Sequence, residues 1–129
     1  MNGKGLLDTN VVIASLDKEA IVLELLDRIE EIYVPSIVIG ELYFGARKSQ
    51  RVQENIQRLQ KFTAGNKILG CDLETAPYYG EIRYSLRKKG RPIPENDVWI
   101  AAIALQHNLT LITRDAHFDE IDNLILTRI

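Results

Sequence analysis

Short apolar segments alternate with longer helical patterns along the chain, and this alternation restricts the fold more than any other feature of the sequence. Apolar runs typical of buried strands occur at 5–7, 33–34, 67–69, 109–113 and 124–127. Strands separated by helices need right-handed crossovers, which give a parallel sheet with helices on both faces. We therefore predict an α/β fold, a three-layer α/β/α sandwich with a short, mostly parallel five-stranded sheet.

The helices between these strands are predicted from apolar residues at three- and four-residue spacings. Pro35-Ser36 should end the second strand and cap the helix that follows, and Gly90 should end the longest helix. Trp99 lies in a strongly apolar helix and is expected in the core. The predicted helices span 9–16, 19–31, 37–48, 50–63, 73–89 and 95–107.

Length and composition are those of an ordinary globular protein. The 129 residues are 46% hydrophobic and 26% charged, with a net charge of −2, which predicts a single domain over 1–129. The only cysteine, Cys71, excludes an internal disulfide and a Cys-rich zinc site. No apolar run has membrane-spanning length and no signal peptide is recognisable, so we expect a cytoplasmic protein without a membrane partner.

Four acidic residues are placed where a parallel sheet binds its ligands, near the carboxyl ends of the strands. Asp8 ends the first strand, Asp115 follows the fourth, and Asp97 begins the helix that leads into the fourth. Taken singly, these three could be a helix cap, a turn residue and an acid favoured by the helix dipole. Glu41 interrupts an apolar helix, and buried acids are rare unless they are paired or bind metal.

Carboxylates that share a pocket repel one another, and a divalent cation removes this conflict. Oxygen ligands without Cys or His select Mg²⁺ or Mn²⁺, and such ions suit phosphate substrates. A bound ion can make a nucleophile from water and stabilise charge on an attacked phosphodiester. Because the chain is mildly acidic, a nucleic-acid partner would need bridging metal ions or a local basic patch.

The chain resembles the PIN-domain ribonucleases, and in particular the VapC-type toxins of toxin–antitoxin pairs. Four motifs in the family's order and spacing carry this resemblance over nearly the whole length. They are Leu6-Leu7-Asp8-Thr9-Asn10, Pro35-Ser36-Ile37-Val38-Ile39-Gly40-Glu41-Leu42, Asn96-Asp97-Val98-Trp99-Ile100-Ala101-Ala102 and Leu109-Thr110-Leu111-Ile112-Thr113-Arg114-Asp115-Ala116-His117-Phe118.

The resemblance implies a Mg²⁺-dependent endoribonuclease, with Mn²⁺ as the alternative ion, that acts as a toxin on RNA. It also implies a homodimer and a small antitoxin, for which the helices at 19–31 and 50–63 are candidate surfaces. By this resemblance, the metal ligands and catalytic residues would be the four acids Asp8, Glu41, Asp97 and Asp115. Asn10 and Thr113 would support these acids by hydrogen bonding. Asp119 is a further acid that is either a ligand or a turn residue.

Other functions remain open at this point. The family also allows a housekeeping RNA-processing nuclease, and a non-catalytic RNA- or protein-binding module is a further alternative. A haloacid-dehalogenase phosphatase would need an aspartate where Asn10 stands, and a receiver domain would need one where the third strand ends at Leu69-Gly70-Cys71. We expect a turn role for His117, with a role near the substrate as the alternative. The basic run from Arg87 to Arg91 is expected to be a solvated helix end, with a contact to an RNA backbone as the alternative.

Overall fold

The computed structural model describes residues 3–129, which form a parallel sheet with helices on both faces. Its strands are β1 (Lys4–Leu7), β2 (Glu31–Pro35), β3 (Lys67–Leu69), β4 (Thr110–Thr113) and β5 (Leu126–Arg128), in the order β3-β2-β1-β4-β5. Every pairing within this sheet is parallel. The predicted α/β fold and five-stranded sheet are confirmed.

Six α-helices connect the strands within the described range. They are α1 (Thr9–Leu16), α2 (Ala20–Asp27), α3 (Ser36–Lys48), α4 (Val52–Ala64), α5 (Thr75–Lys89) and α6 (Glu95–Gln106). A 3₁₀ helix, which the sequence analysis did not predict, covers Ala116–Glu120. No helix in residues 3–129 is long and apolar enough to cross a membrane.

The core lies around β1, which occupies the centre of the sheet. Leu6 and Leu7 are fully buried there because helices cover both faces. Gly5 allows β1 and β4 to pack closely, since a Cβ at this position would lie 2.7 Å from the Cδ1 atom of Ile112. Helix α6 is buried from Ile100 to Ala104, as its continuous apolar sequence predicts. The carboxyl ends of β1 and β4 therefore lie side by side at one edge of the sheet.

Helix α4 packs against α3 through a second, smaller apolar cluster. Ala46 of α3 and Ile56 and Leu59 of α4 form its buried centre. The apolar face predicted for the 50–63 segment is therefore partly used inside the molecule.

Several predicted boundaries differ from the structure for local reasons. Helix α2 ends at Asp27 rather than at 31, because Glu31 already belongs to β2, where its carboxylate pairs with Lys4 and Lys67 at 3.5 and 3.3 Å. Ser36 is the first residue of α3 and makes no capping hydrogen bond, so its predicted role as the cap is wrong.

Two further helices begin later than predicted because polar side chains organise the turns before them. In the turn before α4, the hydroxyl of Ser49 accepts a hydrogen bond of 2.9 Å from the side-chain amide of Asn55, which lies in α4. The carboxylate of Asp72 accepts from the backbone N–H groups of Glu74 and Thr75 before α5. Gly90 ends α5 in the left-handed conformation, as predicted.

Candidate metal centre

Asp8 lies at the carboxyl end of β1, where it is buried and fully engaged in hydrogen bonds. Its Oδ1 accepts from the Thr9 backbone N–H at 2.8 Å, and its Oδ2 accepts from the Thr113 hydroxyl at 2.7 Å. Burial raises its pKa, and the hydrogen bonds from Thr113 and Thr9 oppose that rise. Asp8 also begins α1 as its N-cap, which is the structural role considered from the sequence.

Thr113 connects two of the predicted acids through a single hydroxyl group. While its Oγ1 donates to Asp8, the same oxygen accepts from the backbone N–H of Asp115 at 2.9 Å. Thr113 is completely buried at the end of β4. The supporting position that the resemblance gave to Thr113 therefore coincides with a direct contact to Asp8.

Asp97 reaches the same edge from the first turn of α6. Its side chain is 16% exposed. The pKa of this carboxyl is raised to about 6: burial and then the charge of Asp8 raise it, and a hydrogen bond with His117 lowers it. A carboxyl group with so high a pKa lies in an environment that disfavours its negative charge.

Asp115 is the N-cap of the 3₁₀ helix that follows β4, and His117 is the second residue of that helix. The Oδ1 of Asp115 accepts from the His117 backbone N–H at 2.9 Å. The imidazole Nδ1 lies 3.0 Å from Asp115 Oδ2 and 3.3 Å from Asp97 Oδ2. One ligand atom from each of these three residues falls within 4.8 Å of the others.

The placement of His117 is compatible with both interpretations made from the sequence. It lies in the tight 3₁₀ helix after Asp115, and its ring also faces two of the acids. The signal in the sequence was its position two residues after Asp115, at the end of a strand. The extended backbone of Asp115 and the 3₁₀ helix after it direct the ring back toward Asp97.

Glu41 approaches the site from α3, on the side of α1. Its Oε1 accepts from the Thr9 hydroxyl at 3.3 Å. Burial raises its pKa, the Thr9 hydrogen bond lowers it, and the charge of Asp8 raises it. Asp8 thus influences Glu41 on one side and Asp97 on the other, while Glu41 is not one of the three closely spaced residues.

Two other predicted residues lie apart from the acids. Asn10 is exposed, and no hydrogen bond joins its side chain to any of the four acids in the described chain. Asp119 is directed toward β5, where its Oδ2 accepts from Arg128 at 2.7 Å. The turn role of Asp119, which the sequence left open, agrees with this ion pair.

The basic run and Trp99 also have defined surroundings. Lys89 donates to the backbone carbonyl of Glu120 and pairs with Asp122 at 2.8 Å, so it braces the segment after the 3₁₀ helix. Trp99 is only half-buried and stacks on Tyr79 with ring centroids 4.0 Å apart. The prediction that Trp99 belongs to the core is therefore only partly correct.

This arrangement is chemically suited to a divalent cation. Asp8, Glu41 and Asp97 all have pKa values raised first by burial and then by another carboxylate. A cation would remove that repulsion and would meet the carboxylate oxygens that hard ions prefer. The residues present therefore fit a metal of this class.

Comparison with known proteins agrees with this site. The PIN domain model matches residues 5–124. A curated relative, Ribonuclease VapC2 of Rickettsia felis, is 36% identical over 126 residues, which cover 94% of each chain. The chain belongs to the PIN-domain family. PIN-domain nucleases generally depend on divalent metals, and the acid cluster of this member is consistent with that property.

Two further comparisons show how similar this PIN domain is to other proteins in sequence and in fold. The tRNA(fMet)-specific endonuclease VapC of Shigella flexneri is 31% identical over 124 residues, which are 94% of both chains. A chain in the crystal structure of VapBC2 from Rickettsia felis, bound to a DNA fragment from their promoter, superposes with a TM-score of 0.88. It is 34% identical, and the match covers 98% of each chain.

Proposed function

We propose that this PIN domain is a Mg²⁺-dependent endoribonuclease and the toxin of a toxin–antitoxin pair. The observation that carries the proposal is the convergence of Asp8, Asp97 and Asp115 at one edge of the sheet, with Glu41 beside Asp8. The relatives that are ribonucleases by name and the similar chain in the VapBC2 structure support the same function.

In this proposal Asp8 and Asp97 hold the cation directly, and Glu41 and Asp115 complete the site. When bound, the cation supplies a nucleophile derived from water and neutralises charge on the attacked phosphodiester. The chain's own groups keep the carboxylates in position. Thr113 fixes Asp8 through its 2.7 Å hydrogen bond, and the Thr9 N–H fixes the other oxygen of the same carboxylate.

The geometry favours hydrolysis without a covalent enzyme intermediate. The acids and one imidazole converge, the hydroxyl of Thr113 is committed to Asp8 as a donor, and Cys71 is not among the clustered residues. Cys71 is exposed as a residue, but partial desolvation of its thiol and the nearby charge of Asp72 raise its pKa. The raised pKa disfavours the thiolate that a nucleophile needs. Water is therefore the attacking group in this proposal.

The antitoxin would bind an open groove beside the acids. The groove holds about 300 Å³ between α1, α3 and α4, and its lining includes Glu41, Thr9 and the apolar residues Ile13 and Leu16. An apolar segment of a partner could lie along it, while an arginine enters between the carboxylates and pairs with two oxygens at once. This groove refines the surface expected from the sequence, since Leu59 of α4 is already buried against α3.

The acid cluster does not determine the oligomeric state, which is a separate proposal. We infer a homodimer, with exposed apolar side chains outside the groove available to cover one another. Phe44 on α3 and Tyr84 on α5 are 64% and 65% exposed. Light scattering of the purified chain would give twice the monomer mass, and a monomer at all concentrations would contradict this proposal.

The decisive experiment measures cleavage of RNA by the purified protein with Mg²⁺, with Mn²⁺ and with a chelator. We expect internal cleavage that needs the cation and is abolished in Asp8→Asn. Asp119→Asn is the matched control, because it neutralises an aspartate that pairs with Arg128 outside the cluster. Cleavage that persists in a folded Asp8→Asn protein, or in the chelator, would overturn the proposed mechanism.

The toxin role is tested in cells. Induced expression should arrest growth, and the product of a small neighbouring reading frame should relieve the arrest. Growth arrest that no neighbouring gene relieves would favour the housekeeping alternative over the toxin.

A further inference from the structure

The imidazole of His117 contacts two of the acids through one nitrogen. Its Nδ1 lies 3.0 Å from Asp115 Oδ2 and 3.3 Å from Asp97 Oδ2. A ring nitrogen carries at most one hydrogen. Nδ1 therefore shares its contacts between the two carboxylates.

The two distances also agree with the spacing of neighbouring ligands around one ion. Neighbouring ligands of an octahedral cation with bonds of about 2.1 Å lie about 3.0 Å apart. The chosen atoms of Asp97, Asp115 and His117 all lie within 4.8 Å of one another. Three atoms of suitable chemistry therefore stand at distances that a single cation can span.

The local backbone holds the imidazole in this position. The His117 N–H donates to Asp115 Oδ1, while Asp115 N–H donates to the buried hydroxyl of Thr113. The ring is anchored to β4 through two successive hydrogen bonds, although its side chain is 51% exposed. Its open side leaves room for water and substrate.

We propose that His117 Nδ1 is a direct ligand of the catalytic cation, beside Asp97 and Asp115, and that it makes this site favour Mn²⁺ over Mg²⁺. This inference rests on the proposed nuclease function. An imidazole nitrogen is a softer ligand than a carboxylate oxygen and contributes little to Mg²⁺ binding. Replacement of His117 therefore alters the choice of metal more than it alters the capacity of the acids to bind one.

The chain offers a clean spectroscopic test, because it contains only two histidines. The second, His107, is exposed at the end of α6 and is the matched control. Untagged protein is loaded with Mn²⁺, and pulsed electron paramagnetic resonance detects coupling between the ion and an imidazole ¹⁴N nucleus. We expect this coupling in the native protein and in His107→Ala, and its loss in His117→Ala.

Calorimetry with each metal alone provides the second measurement. We expect His117→Ala to weaken Mn²⁺ binding roughly tenfold, within the range found when metal-site residues are replaced. Binding of Mg²⁺ should change by about twofold or less, because its preferred oxygen ligands remain. Circular dichroism verifies that each variant is folded.

The possible failures are distinguishable. If Mn²⁺ binds in an Asp97-dependent manner but the native protein shows no imidazole coupling, or the coupling survives in His117→Ala, the inference is wrong and the nuclease proposal stands. Equal weakening of Mg²⁺ and Mn²⁺ binding also overturns it. If Mn²⁺ binds through His117 but RNA is not cleaved with either metal, the ligand assignment holds and the proposed nuclease function fails.

Discussion

Neutralising Asp97 should stabilise the metal-free protein, and only at a pH where Asp97 is charged. The folded structure raises the pKa of Asp97 from 3.8 to about 6. Between these two values the folded state binds more protons than the unfolded state, so its stability falls as pH rises through this window. The Asp97→Asn variant lacks this loss. Its stability relative to the native protein should therefore increase from pH 4 to pH 7.

The size of this effect follows from the same pKa values. A rise of 2.2 pH units, the difference between about 6 and 3.8, corresponds to about 3 kcal/mol at 1.36 kcal/mol per unit. Solvent reaches part of the side chain and screens its interactions, so we expect about 1 to 2 kcal/mol at pH 7. A gain of this size raises the melting temperature by roughly 4 to 8 °C for a chain of this length.

The assay is urea denaturation of both proteins with a chelator present, at intervals from pH 4 to pH 8. Glu24→Gln is the control, since it neutralises an exposed acid on α2 outside the cluster. Its difference from the native protein should change little with pH. A gain in Asp97→Asn that is independent of pH, or a loss at pH 7, would refute the reasoning from burial and like charge.

Three other predictions concern Thr113, the binding of Mg²⁺ and Asp115. Thr113→Val should destabilise the protein by about 1 to 3 kcal/mol, since it removes the hydroxyl that donates to Oδ2 of the buried Asp8 carboxylate. Thr113→Ser should recover most of that loss in the same denaturation assay, and equal losses in both variants would contradict the role of the hydroxyl. Mg²⁺ at about a hundredfold excess over its dissociation constant should stabilise the native protein by about 2.7 kcal/mol, and differential scanning calorimetry should show no such gain in Asp8→Asn. Asp115→Asn should melt higher than the native protein without metal and respond less to Mg²⁺; a lower melting temperature with a full response would place Asp115 outside the site.

The sequence predicts the sheet well because its signals are local. The apolar run that ends at Asp8 and the one that ends at Thr113 identify β1 and β4 directly. The helical crossover connections between strands make the sheet parallel. The end of α2 could not be predicted in the same way. It depends on the pairing of Glu31 in β2 with Lys4 of β1 across the sheet, and no periodic pattern within the segment indicates that contact.

The site shows the same division between local and long-range information. The strand ends and the family motifs pointed to the four acids, and the structure brings Asp97 and Asp115 close to one imidazole. The role of His117 depends on a 3₁₀ helix that directs its ring toward an acid 20 residues away in sequence. Asn10 shows the opposite case, because its motif position suggested support for the acids while its side chain is exposed to solvent.

The order of the strands also determines when in the life of the chain the cluster can form. Asp8 is hydrogen-bonded to a hydroxyl 105 residues later. A ribosome adds about 5 to 20 residues each second, so the first strand waits several seconds for Thr113 of β4. A growing chain that has not yet reached β4 lacks both Thr113 and Asp115, and a partner synthesised beforehand has that interval in which to be ready.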